Sequence, residues 1–167
     1  MSSSVLEIYD ALAAKTVSVA SSVAYGTVTP QVKNLDDLPE RVESSMLPCR
    51  LLLPLGGITE QDHSIQADVF GDNPASTYTW KITDLLLWRE TELGTGIASV
   101  ASDLIAYTGA YLDMLRSFRY PTTQDADTNQ SVLVSARVLR GQFEYPARSG
   151  NWYTGVECVL TIEEYVG

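Results

Sequence analysis

The chain predicts an α+β fold: an antiparallel β-sheet with an N-terminal helix and a long central helix packed on it, closed by a C-terminal β-hairpin. Two observations carry that prediction. Residues 97–118 repeat apolar side chains at steps of three and four, the period of a helix with one buried stripe. After them, two runs, one through Val134 and one through Leu160, alternate apolar and polar residues as half-buried strands do. At 167 residues one domain, 1–167, is expected, large enough to bury a core without staples.

The elements follow in order. Ser4-Val5-Leu6-Glu7 fits the capping box, in which serine and glutamate side chains satisfy free N–H groups of the first turn. Val5, Ile8, Leu12 and Ala13 continue at helical spacing, so a first helix is expected from Ser4 to about Ser18. Tyr25 to Thr29 reads as a short strand closed by Pro30, and the acidic stretch Asn34 to Ser45 as a loop or short irregular helix. Leu47 to Leu55 alternates through Leu51 and Leu53 between Pro48 and Pro54, which predicts an edge or end-capped strand. A polar loop, Gly56 to Ser64, precedes a strand through Ile65, Ala67 and Val69, and Gly71-Asp72-Asn73-Pro74 makes a turn. Tyr78, Trp80 and Ile82 alternate into Leu85-Leu86-Leu87-Trp88, a long strand whose phase change near Asp84 predicts a bulge there.

The central helix carries the stripe Ile97, Val100, Ala101, Leu104, Ile105, Thr108, Tyr111, Leu112, Leu115 and Phe118, with Asp103, Asp113 and Arg116 off it. Gly94-Thr95-Gly96 marks its start, Thr95 serving as N-cap, and Tyr120-Pro121 its end, because proline supplies no N–H. In the hairpin, Val132, Val134, Ala136 and Val138 are expected on the buried face of one strand. Val156, Cys158, Leu160 and Ile162 fill that role in the other, with Glu157, Thr161 and Glu163 opposite. Pro146, Gly150, Asn151 and Gly155 form the turn signal between them. Leu133, Leu139 and Val159 leave the outward face partly apolar, which suits a second packed layer or a partner.

A net charge of −10 argues against a whole-surface nucleic-acid binder, since phosphate neutralisation needs a basic stripe. The charge is uneven. Arg116, Arg119, Arg137, Arg140 and Arg148 fall in the C-terminal third, whereas Asp36, Asp37, Glu40 and Glu43 cluster early, as complementary faces in an assembly would require. Cys49 and Cys158 read as buried free thiols, with a disulfide between them left open. No apolar run approaches the ~18 residues of a membrane span. Residues 19–24 mimic a signal peptide, but Glu7, Asp10 and Lys15 interrupt it and no basic segment precedes it, so no export by that route is expected.

Chemistry finds little purchase. His63 beside Asp62 and Glu60 lacks a G-x-S-x-G nucleophile elbow and reads as a surface-loop histidine. Glu163 and Glu164, as strand neighbours, point to opposite faces and share no ligand. Asp72-Asn73 and Asp125-Ala126-Asp127 are too sparse for a calcium loop, and Gly94-Thr95-Gly96 is no phosphate cradle. The expectation is a protein that is not an enzyme, with no catalytic residue, cofactor or metal. The aromatics suggest contact instead: Tyr107, Tyr111, Tyr120, Tyr145, Trp152, Tyr153 and Tyr165 crowd the last third, and Trp152-Tyr153 in a turn-rich loop is assigned to a contact surface.

The capped first helix, the meandering strands, a central helix ending Tyr-Leu-Asp-Met-Leu-Arg (111–116) and the closing strand Gly-Val-Glu-Cys-Val-Leu-Thr-Ile-Glu-Glu (155–164) together resemble the tail terminator proteins of long-tailed bacteriophages. Small neck and tail-completion proteins share much of this pattern. The resemblance implies a structural virion protein, assembled in the host cytoplasm. It would form a ring, usually hexameric, that caps the tail tube and joins tail to head. Its partners would be further copies of itself, the tail tube protein and a neck or connector protein, with no membrane. DNA would pass through an acidic lumen without specific binding, since negative walls repel phosphate. A ring needs two different patches on each copy. The interface candidates are Arg137, Leu139 and Arg140 on the outward hairpin face, with Trp152 and Tyr153. A tail tube subunit or other neck or connector protein is the second reading, and a small-molecule-binding domain or enzyme the third.

Overall fold

The computed structural model describes residues 4–22, 26–54, 76–91, 97–119 and 129–166. Helix α1 spans Ser4–Ala13 and helix α2 spans Ala101–Ser117, the latter entered through a 3-10 turn at Ile97–Val100. The strands are β1 (Val19–Ser21), β2 (Gly26–Val28), β3 (Gln31–Lys33), β4 (Cys49–Leu53), β5 (Ser76–Glu90), β6 (Asn129–Glu144) and β7 (Trp152–Val166). Strands β3, β4, β5, β7 and β6 lie in that order in one sheet, antiparallel except for β3 beside β4, and β1 pairs with β2 in a small ribbon. The fold is α+β, with β6 and β7 forming the C-terminal hairpin after the long helix.

The two sheet faces are covered by different means. On one, Ile82, Leu86, Val156, Cys158, Leu160 and Ile162 are buried with Ile8 and Leu12 of α1 and Leu104, Tyr111 and Leu115 of α2. On the other, Cys49, Leu51, Leu53, Leu85, Leu87 and Tyr153 lie under the segment 34–47, which contributes Val42, Leu38 and Met46. That segment holds two 3-10 turns, Leu35–Asp37 and Ser44–Met46, as its polar, proline-containing sequence predicts. Two tyrosines fasten it: Tyr153 donates its hydroxyl to the Val42 carbonyl at 2.9 Å, and Tyr145 donates to the Pro39 carbonyl at 2.7 Å. Cys49 and Cys158 are free, buried and on opposite faces, so the sheet itself keeps them apart.

Several expectations are corrected. Helix α1 stops at Ala13 rather than Ser18: the Lys15 carbonyl is taken by the Arg50 guanidinium, and the β-branched run from Thr16 leads into β1. Of the two forms expected, strand β4 takes the end-capped one, bracketed by Pro48 and Pro54, and not that of an edge strand. With β3 and β5 on its two sides and both faces covered, all five of its residues are buried. The bulge in β5 falls at Trp88, where the register passes from Leu87–Gly155 to Arg89–Thr154, while Asp84 pairs regularly with Cys158. Gly155 explains the position, because a Cβ there would sit 1.9 Å from the Leu86 carbonyl oxygen.

The buried stripe of α2 is rotated from the expected one. Val100, Leu104, Tyr107, Tyr111, Leu115 and Phe118 face the sheet, whereas Ile105 (57% exposed) and Leu112 (44%) stand on the solvent flank. Asp103, expected outside, is buried, because Ser21 donates its hydroxyl to it at 2.6 Å and the Ser22 amide and hydroxyl each donate at 2.9 Å. In β6 a register shift between Leu133 and Ser135 moves the phase, so Val132 lies opposite Glu163 on the other face, Val134 is 52% exposed instead of buried, and Ala136 at the uncovered edge is exposed too. The four inward positions of β7 are buried as expected. The strand through Ile65, the turn at 71–74, Thr95 and Pro121 lie outside the described residues.

Candidate functional site

Two places concentrate polar groups or exposed apolar ones: a buried cluster between α2 and the sheet, and the outer strand β6. The cluster is built on alternation. Arg50 and Asp84 occupy helix-side positions of neighbouring strands, so their side chains meet beneath α2. The Arg50 Nε lies 3.3 and 3.2 Å from the two Asp84 carboxylate oxygens, and Nη2 lies 2.5 Å from Oδ2. Tyr111 donates its hydroxyl to Oδ2 at 2.9 Å, and its ring faces the guanidinium at 5.5 Å. Tyr107 stacks on Tyr111 at 5.9 Å and meets Trp88 edge-on at 6.3 Å, while its own hydroxyl has no hydrogen-bond partner among the described residues.

Charge stabilises this arrangement. Burial alone would lower the Arg50 pKa, but Asp84, with the nearby tyrosine hydroxyls, reverses that and holds it above its ordinary value. Burial, reinforced by the Asp84 charge, pushes Tyr107, Tyr111 and Cys158 upward, so all three stay protonated. Arg50, Asp84, Tyr107, Tyr111 and Cys158 are each at most 1% exposed. A carboxylate already held by a guanidinium and a phenol, sealed beneath a helix, has no face left for a substrate. Its work is to register α2 on the sheet. Among the described residues no group of three or more His, Cys, Asp and Glu could hold a metal ion. His63, Asp62 and Glu60 lie outside the described residues.

The outer strand is different in kind. Arg137, Leu139 (51% exposed), Arg140 and Trp152 (49%) are all accessible, joined by Val134. Tyr153 is not. It is 1% exposed, in the core that holds the 34–47 segment, and it cannot belong to a contact surface. Trp152 and Tyr153 are strand neighbours, so when one points out the other points in. The same rule divides the remaining candidates. Arg137 and Leu139 lie opposite Val159 and Glu157, on the loop-covered face; Arg140 lies opposite Val156, on the helix-covered one. They share an edge rather than a face. The 34–47 cover thins toward that edge: in the row Leu85, Glu157, Leu139 the residues pass from buried through half-buried to exposed.

The chain matches no protein-family model, no curated protein and no solved structure.

Electrostatically, the two sides of the sheet differ. Arg137 approaches Glu157 at 3.7 Å and remains largely exposed, and Arg140 and Arg148 are exposed too. At the β3 side, Asp36 and Asp37 follow the strand after Asn34 and Leu35 and are exposed. Asp10 of α1, also exposed, joins them by accepting a hydrogen bond from Asn34 at 2.8 Å. These acids outnumber Lys33 and Arg41, the bases of the same stretch. Asp36 and Asp37 on one side and Arg137 and Arg140 on the other thus belong to opposite edges of one sheet, roughly 19 Å apart at ordinary strand spacing. Glu40 and Glu43, by contrast, flank Pro39 and Val42, which Tyr145 and Tyr153 hold over the β6–β7 end. Val132, Val134 and Ala136 are residues the alternation pattern misassigned, since a bulge leaves no mark in apolar periodicity. No helix of the described residues is long and apolar enough to cross a membrane.

Proposed function

We propose that this chain is a structural, ring-forming virion protein of the tail terminator type, which caps a phage tail tube and joins it to the head. The observation that carries the reading is the unlike charge at the two edges of the sheet: Arg137 and Arg140 with exposed Val134 and Leu139 along β6, Asp36 and Asp37 just beyond β3. Unlike patches on opposite sides of one subunit are what a head-to-tail contact needs, and such contacts close into rings when the rotation permits. The polar cluster between helix and sheet, being sealed, supports a scaffold over an enzyme. The net charge of −10 suits a lumen that DNA traverses without adhering.

Light scattering after size exclusion, across a concentration series and with negative-stain images of each peak, tests the reading. Closed rings that bind the ends of isolated tail tubes are the expected result. A chain that stays monomeric and ignores tail tubes would refute it. The same unlike edges also permit an open assembly. Long tubes formed by the pure protein would therefore make it a tail tube subunit.

A further inference from the structure

We infer that the contact between copies is main-chain strand addition, β6 of one copy pairing with β3 of the next, an inference that rests on the ring reading above. It starts from backbone groups. Strand β6 is the last strand of the described sheet, and only at Leu133, whose amide donates to the Arg119 carbonyl at 2.9 Å, is its outer side engaged by a described residue. From Val134 to Glu144 the outward N–H and C=O groups have no partner among the described residues, the condition under which an edge recruits another strand. Side chains do little to block it. Val134 and Leu139 are half-exposed, Ala136 is small, and the strand contains no proline or lysine.

The opposite edge supplies the partner. Among the described residues strand β3 pairs with β4 on one side only, and the chain stays extended through Asn34 (φ −82°, ψ 176°). The extended stretch from Gln31 to Asn34 matches Arg137 to Arg140 in length. Direction agrees as well. Strand β3 runs parallel to β4, antiparallel to β5, parallel to β7 and so antiparallel to β6; copies repeated side by side bring β6 against β3 antiparallel. Charge then selects this pairing over β6 with β6. Two β6 edges would bring Arg137 and Arg140 of both copies together, whereas β3 carries the single base Lys33 and leads into Asp36 and Asp37. The sheet would run continuously from copy to copy.

Crosslinking the full chain tests this. Gln31 and Leu139 are exposed, and the native thiols Cys49 and Cys158 are buried, so Gln31→Cys, Leu139→Cys and the double variant can be treated with a short bis-maleimide. A ladder of covalent multimers from the double variant, with neither single variant crosslinking, is the expected result. A dimer from Leu139→Cys alone would overturn the proposal in favour of two-fold β6 pairing. Rings in negative stain without a ladder would overturn it and leave the ring reading standing; no assembly at all would end both. A second arm uses charge. Arg137→Glu with Arg140→Glu should raise the assembly midpoint concentration roughly tenfold or more, and adding Asp36→Lys and Asp37→Lys should restore it. Unchanged assembly by the first pair, with native circular dichroism, would overturn the proposal.

Discussion

Arg50 and Asp84 meet side by side beneath helix α2, fully withdrawn from water, one on β4 and the other on β5. The pair is completed by Tyr111 from the helix and by the Lys15 carbonyl from the turn after α1, so four separate segments converge on it. Removing one charge strands the other. Asp84→Ala is expected to cost about 3–5 kcal/mol in urea unfolding, whereas Arg50→Met with Asp84→Leu, which removes both, should cost less. A single variant as stable as the wild type would show that the pair is not load-sharing.

Tyr107 and Tyr111 make a matched comparison. Tyr111 gives its hydroxyl to Asp84, and Tyr107 has no partner for its own. Tyr111→Phe should destabilise by about 1.5–3 kcal/mol, because a buried carboxylate loses a donor. Tyr107→Phe removes only an unsatisfied group and should be neutral or stabilising by about 1 kcal/mol. Equal losses in the two denaturation midpoints would mean that the Tyr107 hydroxyl is satisfied in solution.

Gly155 is required by a close approach, not by a turn. Its Cβ position is occupied by the Leu86 carbonyl, at 1.9 Å, and backbone cannot swing aside as a side chain can. Gly155→Ala should lose about 1–3 kcal/mol or more by chemical denaturation, with β5 and β7 forced apart beside the Trp88 bulge. Gly109, whose Cβ would meet nothing within 4 Å on the exposed side of α2, is the control. There alanine should stabilise by about 0.5–1 kcal/mol.

Alkali should unfold the protein early. Burial raises the pKa of Tyr9, Tyr107, Tyr111 and Cys158, and pushes Cys49 up to about 11 despite the opposing pull of Lys33. All five are neutral when protonated. Below their unfolded values both states hold the proton and stability is unaffected. Above them the unfolded chain deprotonates first, so stability falls as pH rises. For Cys49 the window runs from 9.0 to about 11. Urea midpoints taken across that range should decline steadily, and native thiols should resist a thiol reagent at pH 8. A flat profile would contradict the burial of these groups.

Much of this architecture was legible from periodicity, and its failures share a cause. Strand β7 alternates as expected because its central stretch lies between two paired strands, with α2 on one side. Asp103 broke the rule that charge marks the outer face of a helix. Its partners, Ser21 and Ser22, come from a distant ribbon that sequence spacing does not place beside it. Arg50 looked like an ordinary polar position in an alternating run, yet a charge 34 residues away makes it a core residue. Among the interface candidates, strand alternation alone separates Tyr153 from Trp152 and Arg140 from Arg137, once the register with β7 is known. That β6, which carries Arg137, Leu139 and Arg140, is outermost is a property of sheet order, and no local pattern encodes it.

The segment 34–47 is held down by phenols that grip main-chain carbonyls, those of Pro39 and Val42. Anchors of that kind are indifferent to the side chains around them. Asp36, Asp37, Glu40 and Glu43 can therefore be exchanged, even for lysine, with both anchors left in place. This cover of the sheet is, in effect, a label that can be rewritten without reopening the page it is fixed to.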